Sequence, residues 1–533
     1  MSITFVRLNA AFRPIFESLR VHYFEDTQKP LPKRFAVDRE ACCNKTTFPF
    51  TSQSEEMKFG SSGLRGLASE LAGNPSGLYT EAFAWRLSAS GIQSNAGVLV
   101  GRDLRDSSPT IAANCMAALA ASGLQPIDCG AISTPALALY GRQHGMAALM
   151  VTGSHIPADR NGIKFYSPHG EISKADEAAM AHYAAERSDA YRSPPPIGTA
   201  LPARHDQATA AYRARANDIL QPGSLSGIRV GVYQHSSVAA DLLVEILQSF
   251  GASVTPVGKS DTFVPVDTEA VDAATIAKFK DWAREFSFDA IVSTDADADR
   301  PLIIDENGDL FRGDLIGLAT ALFLRADIVA TPVTSNSGIS KAFGFEVLRT
   351  KVGSPFVIEA MEASYDTGKI VIGFEANGGV LLGSDCSLYG KTLTALPTRD
   401  SLLPILAVLG TVASTGKSLS LLRELWGLPV CASERLQDFP VESSRGLMRQ
   451  LADRDQLQRF LAPFGTVAEV DETDGLRTRM QTGEIIHLRP SGNAPELRCY
   501  SEAANHERAT AIVALTLERA RAITSTNETE AVQ

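Results

Sequence analysis

The sequence predicts an α/β protein built from several similar domains. Runs rich in β-branched residues alternate with helical patterns, and the alternation restarts after turn-rich or proline-rich breaks. Length points the same way: 533 residues exceed what one hydrophobic core usually organises, so three or four domains are expected.

Residues 1–56 hold scattered aromatics, Lys29–Lys33 and the neighbours Cys42 and Cys43, without sustained periodicity. They are expected to be an N-terminal extension that the folded domains can do without. A glycine-rich loop, Phe59–Gly66, then opens a first domain over 57–205. It contains a strand at Gly97–Gly101, an Ala-rich helix at Thr110–Ser122 and a strand at Ala147–Thr152. Ser193–Gly198, with consecutive prolines, reads as a stiff exposed connector. The second domain, 206–312, has a strand at Ile228–Tyr233, a helix at Ala239–Phe250 and a strand at Asp289–Thr294. The third, 313–430, carries strands at Ile328–Thr331 and Lys369–Gly373. A Gly/Pro break near Gly427–Pro429 introduces the last, 431–533, which ends in a helix over Glu507–Ile523.

Hydrophobic content of 44% and charged content of 21% describe an ordinary globular protein. A net charge of −11, without any Lys/Arg block, excludes a general affinity for nucleic acid. No apolar run reaches membrane-spanning length, since Leu402–Leu409 is short and contains Pro404. Arg7 and Arg13 interrupt any signal-peptide core, and seven scattered cysteines lack C-x-x-C spacing. Reduced thiols, a cytoplasmic location and no membrane partner are expected.

Asp295, Asp297 and Asp299 stand at alternate positions where a strand ends. A carboxylate cluster of this kind suits a hard cation such as Mg²⁺, with ligand positions left for water or a phosphate. An EF-hand reading fits these residues and Glu306, but needs Gly where Arg300 stands and a helix where a strand enters. The strand ending at Thr152 runs into Gly153-Ser154-His155, followed by Lys164. A serine on a sharp turn at a sheet edge is placed as a nucleophile, and His155 and Lys164 add proton-handling and cationic groups. A phosphate on Ser154 would complete the aspartate site. Arg65 in the glycine-rich loop and the cluster Arg102–Ser108 are expected to handle anions. The segment His487–Arg498 sets Arg489 and Arg498 around small hydroxyl and amide residues, the composition of a phosphate nest. In Gly373–Gly379, Glu375 and Asn377 alternate, and together they can accept from and donate to paired sugar hydroxyls.

From Phe59 to Ala503 these loops resemble, in order and rough spacing, those of the α-D-phosphohexomutase superfamily. The resemblance implies four domains around a central cleft: three similar α/β domains with mixed sheets and a smaller C-terminal α+β domain. The loop T-[AG]-S-H-x-P implies that Ser154 carries a phosphate and counts among the metal ligands. The loop D-G-D-G-D-R implies Mg²⁺ on Asp295, Asp297 and Asp299, with Arg300 beside the phosphoserine and Arg65 near the reacting centre. G-E-x-[SN]-G implies sugar contacts from Glu375 and Asn377. R-x-S-G-T-E-P-x-x-R implies that Arg489, Ser491, Gly492, Asn493 and Arg498 grip the distal phosphate. Lys351 lies in Arg349–Ser354, which resembles the specificity loop. Departures are Ala296 and Ala298 for glycines, which implies a metal loop that avoids positive φ, Phe374 before Glu375, Asn493 for threonine, and Ser354 where some members have His.

Within the superfamily the loops are most similar to bacterial phosphomannomutases. The expected reaction converts mannose 6-phosphate to mannose 1-phosphate through phospho-Ser154 and a hexose 1,6-bisphosphate, which also serves as activator. Glucose phosphates are plausible further substrates, and a phosphoglucomutase or phosphoglucosamine mutase is the alternative. The chain is expected to be a monomer or homodimer. An aspartyl phosphatase with Asp295 as nucleophile would leave the serine and C-terminal arginine loops without a task, and a non-catalytic sugar-phosphate sensor would bind ligand yet show no isomerisation with Mg²⁺ and a trace of bisphosphate.

Overall fold

The computed structural model describes residues 57–60, 63–195, 205–365, 368–491 and 495–531. The expectations for residues 1–56, the connector beyond 195, and Gly492 and Asn493 lie outside the described residues. Residues 55–533 form one compact unit.

Three sheets along this unit repeat one plan. In the first, Gln125–Ala131, Gly97–Arg102 and Ala147–Val151 run parallel, and Arg160–Ser167 returns antiparallel along Ala147–Val151. In the second, Ser253–Lys259, Arg229–His235 and Ala290–Thr294 are parallel and Pro301–Ile304 returns. In the third, Glu346–Thr350, Ile328–Pro332 and Val371–Phe374 are parallel and Val380–Leu382 returns. Ala147–Val151, Ala290–Thr294 and Val371–Phe374 are buried along their whole lengths, and apart from Ser293 and Thr294 they carry no polar side chain. Each ends in a turn before its return strand, and those three turns carry Ser154, the aspartates, and Glu375 with Asn377. The mixed-sheet α/β architecture expected from the sequence is therefore present, as a repeat.

Boundaries shift by a few residues. The helix expected from Thr110 spans Ser108–Ala121, with Pro109 in its first turn, where a missing N–H costs nothing. The C-terminal helix runs over His506–Ala531, well beyond the expected Ile523. The last domain is a fully antiparallel sheet in the order Val430–Leu436, Leu497–Ala503, Ile485–Pro490, Leu476–Met480, Val467–Asp471. It has its own core around Leu447, Phe460, Leu488 and Ile512, whereas one apolar cluster runs through the first three domains from Leu99 to Leu422.

One expectation is corrected by geometry, and one departure finds its explanation. Ala298 adopts φ +57, so the metal loop uses the left-handed region although its glycine is gone. Phe374 is fully buried, and a Cβ on Gly317 would stand 2.2 Å from its ring, so the glycine makes room for the unusual aromatic. Among the described residues no single helix is long and apolar enough to cross a membrane. The pair Leu402–Thr415 and Leu419–Trp426, bent by 89°, passes on length and composition alone, and residues 402–410 are buried in the core.

Candidate active site

The aspartate loop is held from three domains. Its carbonyls at Asp297, Ala296 and Ala298 accept from Thr134 N (2.9 Å), Val238 N (3.1 Å) and Ser401 Oγ (2.7 Å). This pinning supplies the energy, about 1 kcal/mol, that a non-glycine residue needs to stay left-handed at Ala298. Asp295, Asp297 and Asp299 are buried, and each offers an oxygen within 4.8 Å of the others.

Their oxygens divide into two sets. Asp297 Oδ2 accepts from Lys164 Nζ (2.6 Å) and from Thr134 Oγ1. Asp299 Oδ2 accepts from Lys164 Nζ (2.5 Å) and from Arg399 Nε (3.0 Å) and Nη2 (2.9 Å). Among the described residues Asp297 Oδ1 and Asp299 Oδ1 are buried without a hydrogen bond, and Arg300 Nε approaches Asp299 Oδ1 at 3.7 Å. Buried anionic oxygens left without hydrogen bonds are costly, so this close carboxylate triad fits a divalent cation. Burial, then Asp297 and Asp299, pushes Asp295 well above the usual carboxylate range. Burial alone would raise Asp299 too, but Arg399, Lys164 and Arg300 outweigh it and hold that group low.

Ser154 sits on the turn after Ala147–Val151 with φ +54, and its Oγ donates to Asp295 Oδ2. The first and second domains thus meet at the serine and the triad, as the sequence requires. His155 Nδ1 lies 3.3 Å from Ser154 Oγ and 3.0 Å from Arg300 Nη1. Burial and the guanidinium groups of Arg300 and Arg65 push the imidazole well below its ordinary value, which keeps it neutral. Arg65, on the strand Leu64–Leu67, is lowered to about 10 by burial and by Arg300 and Arg399.

The third domain faces these groups. Glu375 and Asn377 are buried on the turn after Val371–Phe374, and Thr268 Oγ1 of the second domain donates to Asn377 O at 2.8 Å. Arg399 is the residue that sequence reasoning missed. It joins Asp299 to Glu375 Oε2 (3.1 Å), linking the aspartate loop to the Glu375 turn. Its one available signal was an arginine inside a strand that leads into an apolar helix, since a buried arginine demands carboxylate partners. Glu171 was also missed: it accepts from Ser354 Oγ (2.9 Å) and Thr398 Oγ1 (3.1 Å), giving Ser354 a first-domain partner.

Other candidates lie further out. Arg489 and Arg498 are register partners across the strands Ile485–Pro490 and Leu497–Ala503, while Asp474 and Glu496 pair with them at 2.8 and 3.3 Å. Ser491 follows the first of these strands. Lys351 is exposed, with Phe356 at 5.9 Å as its ring contact. The Arg102–Ser108 cluster does not form an anion site: Arg102 pairs with Asp128 at 3.2 Å and Arg105 is buried on Asp103. Glu306, the last EF-hand position, bonds Ser420 instead of joining the triad.

The chain matches the phosphoglucomutase/phosphomannomutase domain families in sequence order: domain I at residues 56–190, II at 212–308, III at 313–428 and the C-terminal domain at 440–519. A phosphomannomutase from Sinorhizobium fredii is 53% identical over 86% of this chain and 97% of its own. One from Salmonella muenchen is 42% identical over 86% and 94%. A phosphoglucosamine mutase from Lactobacillus johnsonii is more distant, at 28% over 85% and 95%. In structure, a phosphoglucomutase/phosphomannomutase family protein from Burkholderia thailandensis superimposes with a TM-score of 0.65 at 20% identity, over 87% of this chain and 97% of that one.

Proposed function

Because the chain belongs to the phosphoglucomutase/phosphomannomutase family, we propose that it is a phosphomannomutase, an isomerase that interconverts mannose 6-phosphate and mannose 1-phosphate. One observation carries the reading to this chain's own residues: Ser154 Oγ donates to a carboxylate of a buried aspartate triad in which Asp297 Oδ1 and Asp299 Oδ1 accept no hydrogen bond. That arrangement suits a serine that carries a phosphoryl group next to a divalent cation.

Asp295, Asp297 and Asp299, with a phosphate on Ser154, would hold Mg²⁺, which when bound supplies charge stabilisation to the phosphoryl oxygens. Lys164 and Arg399 fix the aspartates by occupying their outer oxygens. Glu375 and Asn377 orient the sugar through paired hydroxyls, and Arg489, Ser491, Gly492, Asn493 and Arg498 hold the phosphate at its far end. In the first transfer the P–O bond to Ser154 breaks and a P–O bond to the free sugar hydroxyl forms. Neutral His155 takes that hydroxyl's proton and passes it to the departing Ser154 Oγ, 3.3 Å from its Nδ1. The resulting hexose 1,6-bisphosphate turns over in the cleft. In the second transfer its other phosphate returns to Ser154, whose proton goes to the leaving oxygen, so phosphate and proton balance over the cycle. Arg65 and Arg300 line the path of the transferred charge. A trace of bisphosphate restores enzyme that has lost its phosphate, and so acts as activator. Small hexose phosphates are the partners and the cytoplasm is the place of work. Lys351 belongs to the specificity loop.

The test is a coupled assay with mannose 1-phosphate and glucose 1-phosphate, paired with intact-mass analysis. Wild type should turn over mannose 1-phosphate and carry one phosphoryl group on Ser154. Ser154→Ala should lose both while remaining folded. Near-normal turnover by that variant would remove Ser154 as carrier.

A further inference from the structure

Arg105 lies in a cluster that the sequence marks for anion handling, yet its side chain is only 1% exposed and is spent on backbone carbonyls. Its Nη2 donates to Ser154 O (2.9 Å) and Ile156 O (2.7 Å), and its Nη1 to Pro157 O (2.7 Å) and Arg160 O (3.0 Å). One guanidinium therefore gathers the carbonyls along the whole serine turn. Its Nε donates to Asp103 Oδ2 at 3.1 Å.

Asp103 reaches the other side of the serine as well. The same Oδ2 accepts from Thr152 Oγ1 at 2.8 Å, and that hydroxyl accepts from Ser154 N at 2.8 Å. Its Oδ1 accepts from Ser108 Oγ (2.6 Å) and Arg105 N (3.1 Å). The N–H and the C=O of Ser154 are thus both tied to one carboxylate–guanidinium pair. Ser154 needs such a tie, because at φ +54 it sits in a region that costs a non-glycine residue about 1 kcal/mol or more. The preceding position has no room for a side chain, since a Cβ on Gly153 would stand 2.7 Å from Arg105 Cζ. From the second domain, the Phe263 ring covers the guanidinium at 4.1 Å.

We propose that Arg105, braced by Asp103 and covered by Phe263, is a positioning residue that fixes Ser154 in its left-handed conformation with Oγ aimed at Asp295. Its bonds run to the serine turn and to Asp103, and not to the sugar or distal-phosphate loops. It should therefore govern the transfer step more than substrate affinity. The inference rests on Ser154 being the phosphoryl carrier.

The experiment measures kcat and KM for mannose 1-phosphate, together with melting temperature, for wild type, Arg105→Lys, Arg105→Ala and Phe263→Leu. A lysine keeps the charge but cannot span four carbonyls and a carboxylate. Arg105→Lys should lose about 100-fold in kcat, the scale expected for a misplaced nucleophile, with KM within about threefold. Phe263→Leu should lose several-fold in kcat at unchanged KM. Guanidinium chloride at tens of millimolar should restore about tenfold or more to Arg105→Ala, while sodium chloride should not. If Arg105→Ala does not fold, the lysine and leucine variants decide alone. Two results overturn the proposal: both of those variants keeping kcat within about threefold of wild type, or kcat, KM and melting temperature worsening together without guanidinium rescue. Wild type inactive on both mannose and glucose phosphates overturns the functional reading and this inference with it. An active wild type in which Arg105→Lys and Phe263→Leu both keep kcat within about threefold overturns this inference alone.

Discussion

Gly313 opens the helix Gly313–Leu324 directly beneath the loop that carries Glu375 and Asn377. A Cβ placed on it would stand 2.2 Å from Ala376 O and 2.3 Å from Gly378 N, where ordinary contact begins at 3.4 Å. Both neighbours are backbone atoms, so no flexible side chain can swing aside. Helix and loop would have to part by about 1 Å.

Two opposed effects then act on stability in Gly313→Ala. Alanine favours the helix by up to about 1 kcal/mol over glycine. Overpacking costs about 1–3 kcal/mol, so the net loss is about 0–2 kcal/mol and the protein should remain folded. Function should suffer far more, because a 1 Å misplacement of orienting groups costs about 100-fold. Since Glu375 and Asn377 are the groups displaced, KM for mannose 1-phosphate should rise by about tenfold while kcat falls, so both constants move. Steady-state kinetics beside a thermal melt reads this pattern. Gly313→Ala with both constants within about threefold of wild type would mean that the loop does not hold the sugar.

Two further predictions concern charge. His487 is buried, its Nε2 lies 2.6 Å from Asp474 O, and burial pushes it down to about 4 from 6.5. Between those values the unfolded chain binds the extra proton, so native stability is full above pH 6.5 and falls as pH drops toward 4, by about 2 kcal/mol at pH 5. Hydrogen exchange in the strand Ile485–Pro490 should quicken on going from pH 7 to 5, after correction for intrinsic rates, and His487→Asn should blunt the change. Separately, calorimetry should find Mg²⁺ bound about tenfold or more tightly by the Ser154-phosphorylated protein than by the dephosphorylated one, because a dianion joins the ligand set. Equal affinities would place the phosphate away from the triad.

Much of this architecture is legible in the chain because the informative residues are local. Ala147–Val151 is apolar along its length, Ala290–Thr294 is rich in β-branched residues, and both end just before Ser154 and Asp295, so the pattern puts those groups at sheet edges. The alternating aspartates likewise announce a cluster before any contact is known. Partnerships across domains are not legible. Nothing near Arg399 in sequence reveals that its partners are Asp299 and Glu375, 100 and 24 positions away. Arg105 looks like a surface cation in its own segment and becomes a loop brace only when Ser154 folds over it. Ala298 misled for a related reason: local preference says alanine avoids positive φ, but bonds from Thr134, Val238 and Ser401 over-determine the loop.

Those partnerships decide what the site is. Lys164 of the first domain pairs with Asp297 and Asp299 of the second, and Arg399 of the third shares Asp299. Each pair is buried, and removing one member of such a pair typically costs about 3–5 kcal/mol by stranding the other charge. The first three domains are therefore held in register by the same charges that surround the aspartate triad and Glu375, on top of their shared core. The fourth domain has a separate core and brings a different electrostatic condition. On its sheet Arg498 lies opposite Arg435 on one side and Arg489 on the other. Like charges directly opposite across strands repel, and Glu496 and Asp474 offset them at 3.3 and 2.8 Å. Glu269 of the second domain also acts on Arg498, so the row of arginines is met by carboxylates from two domains.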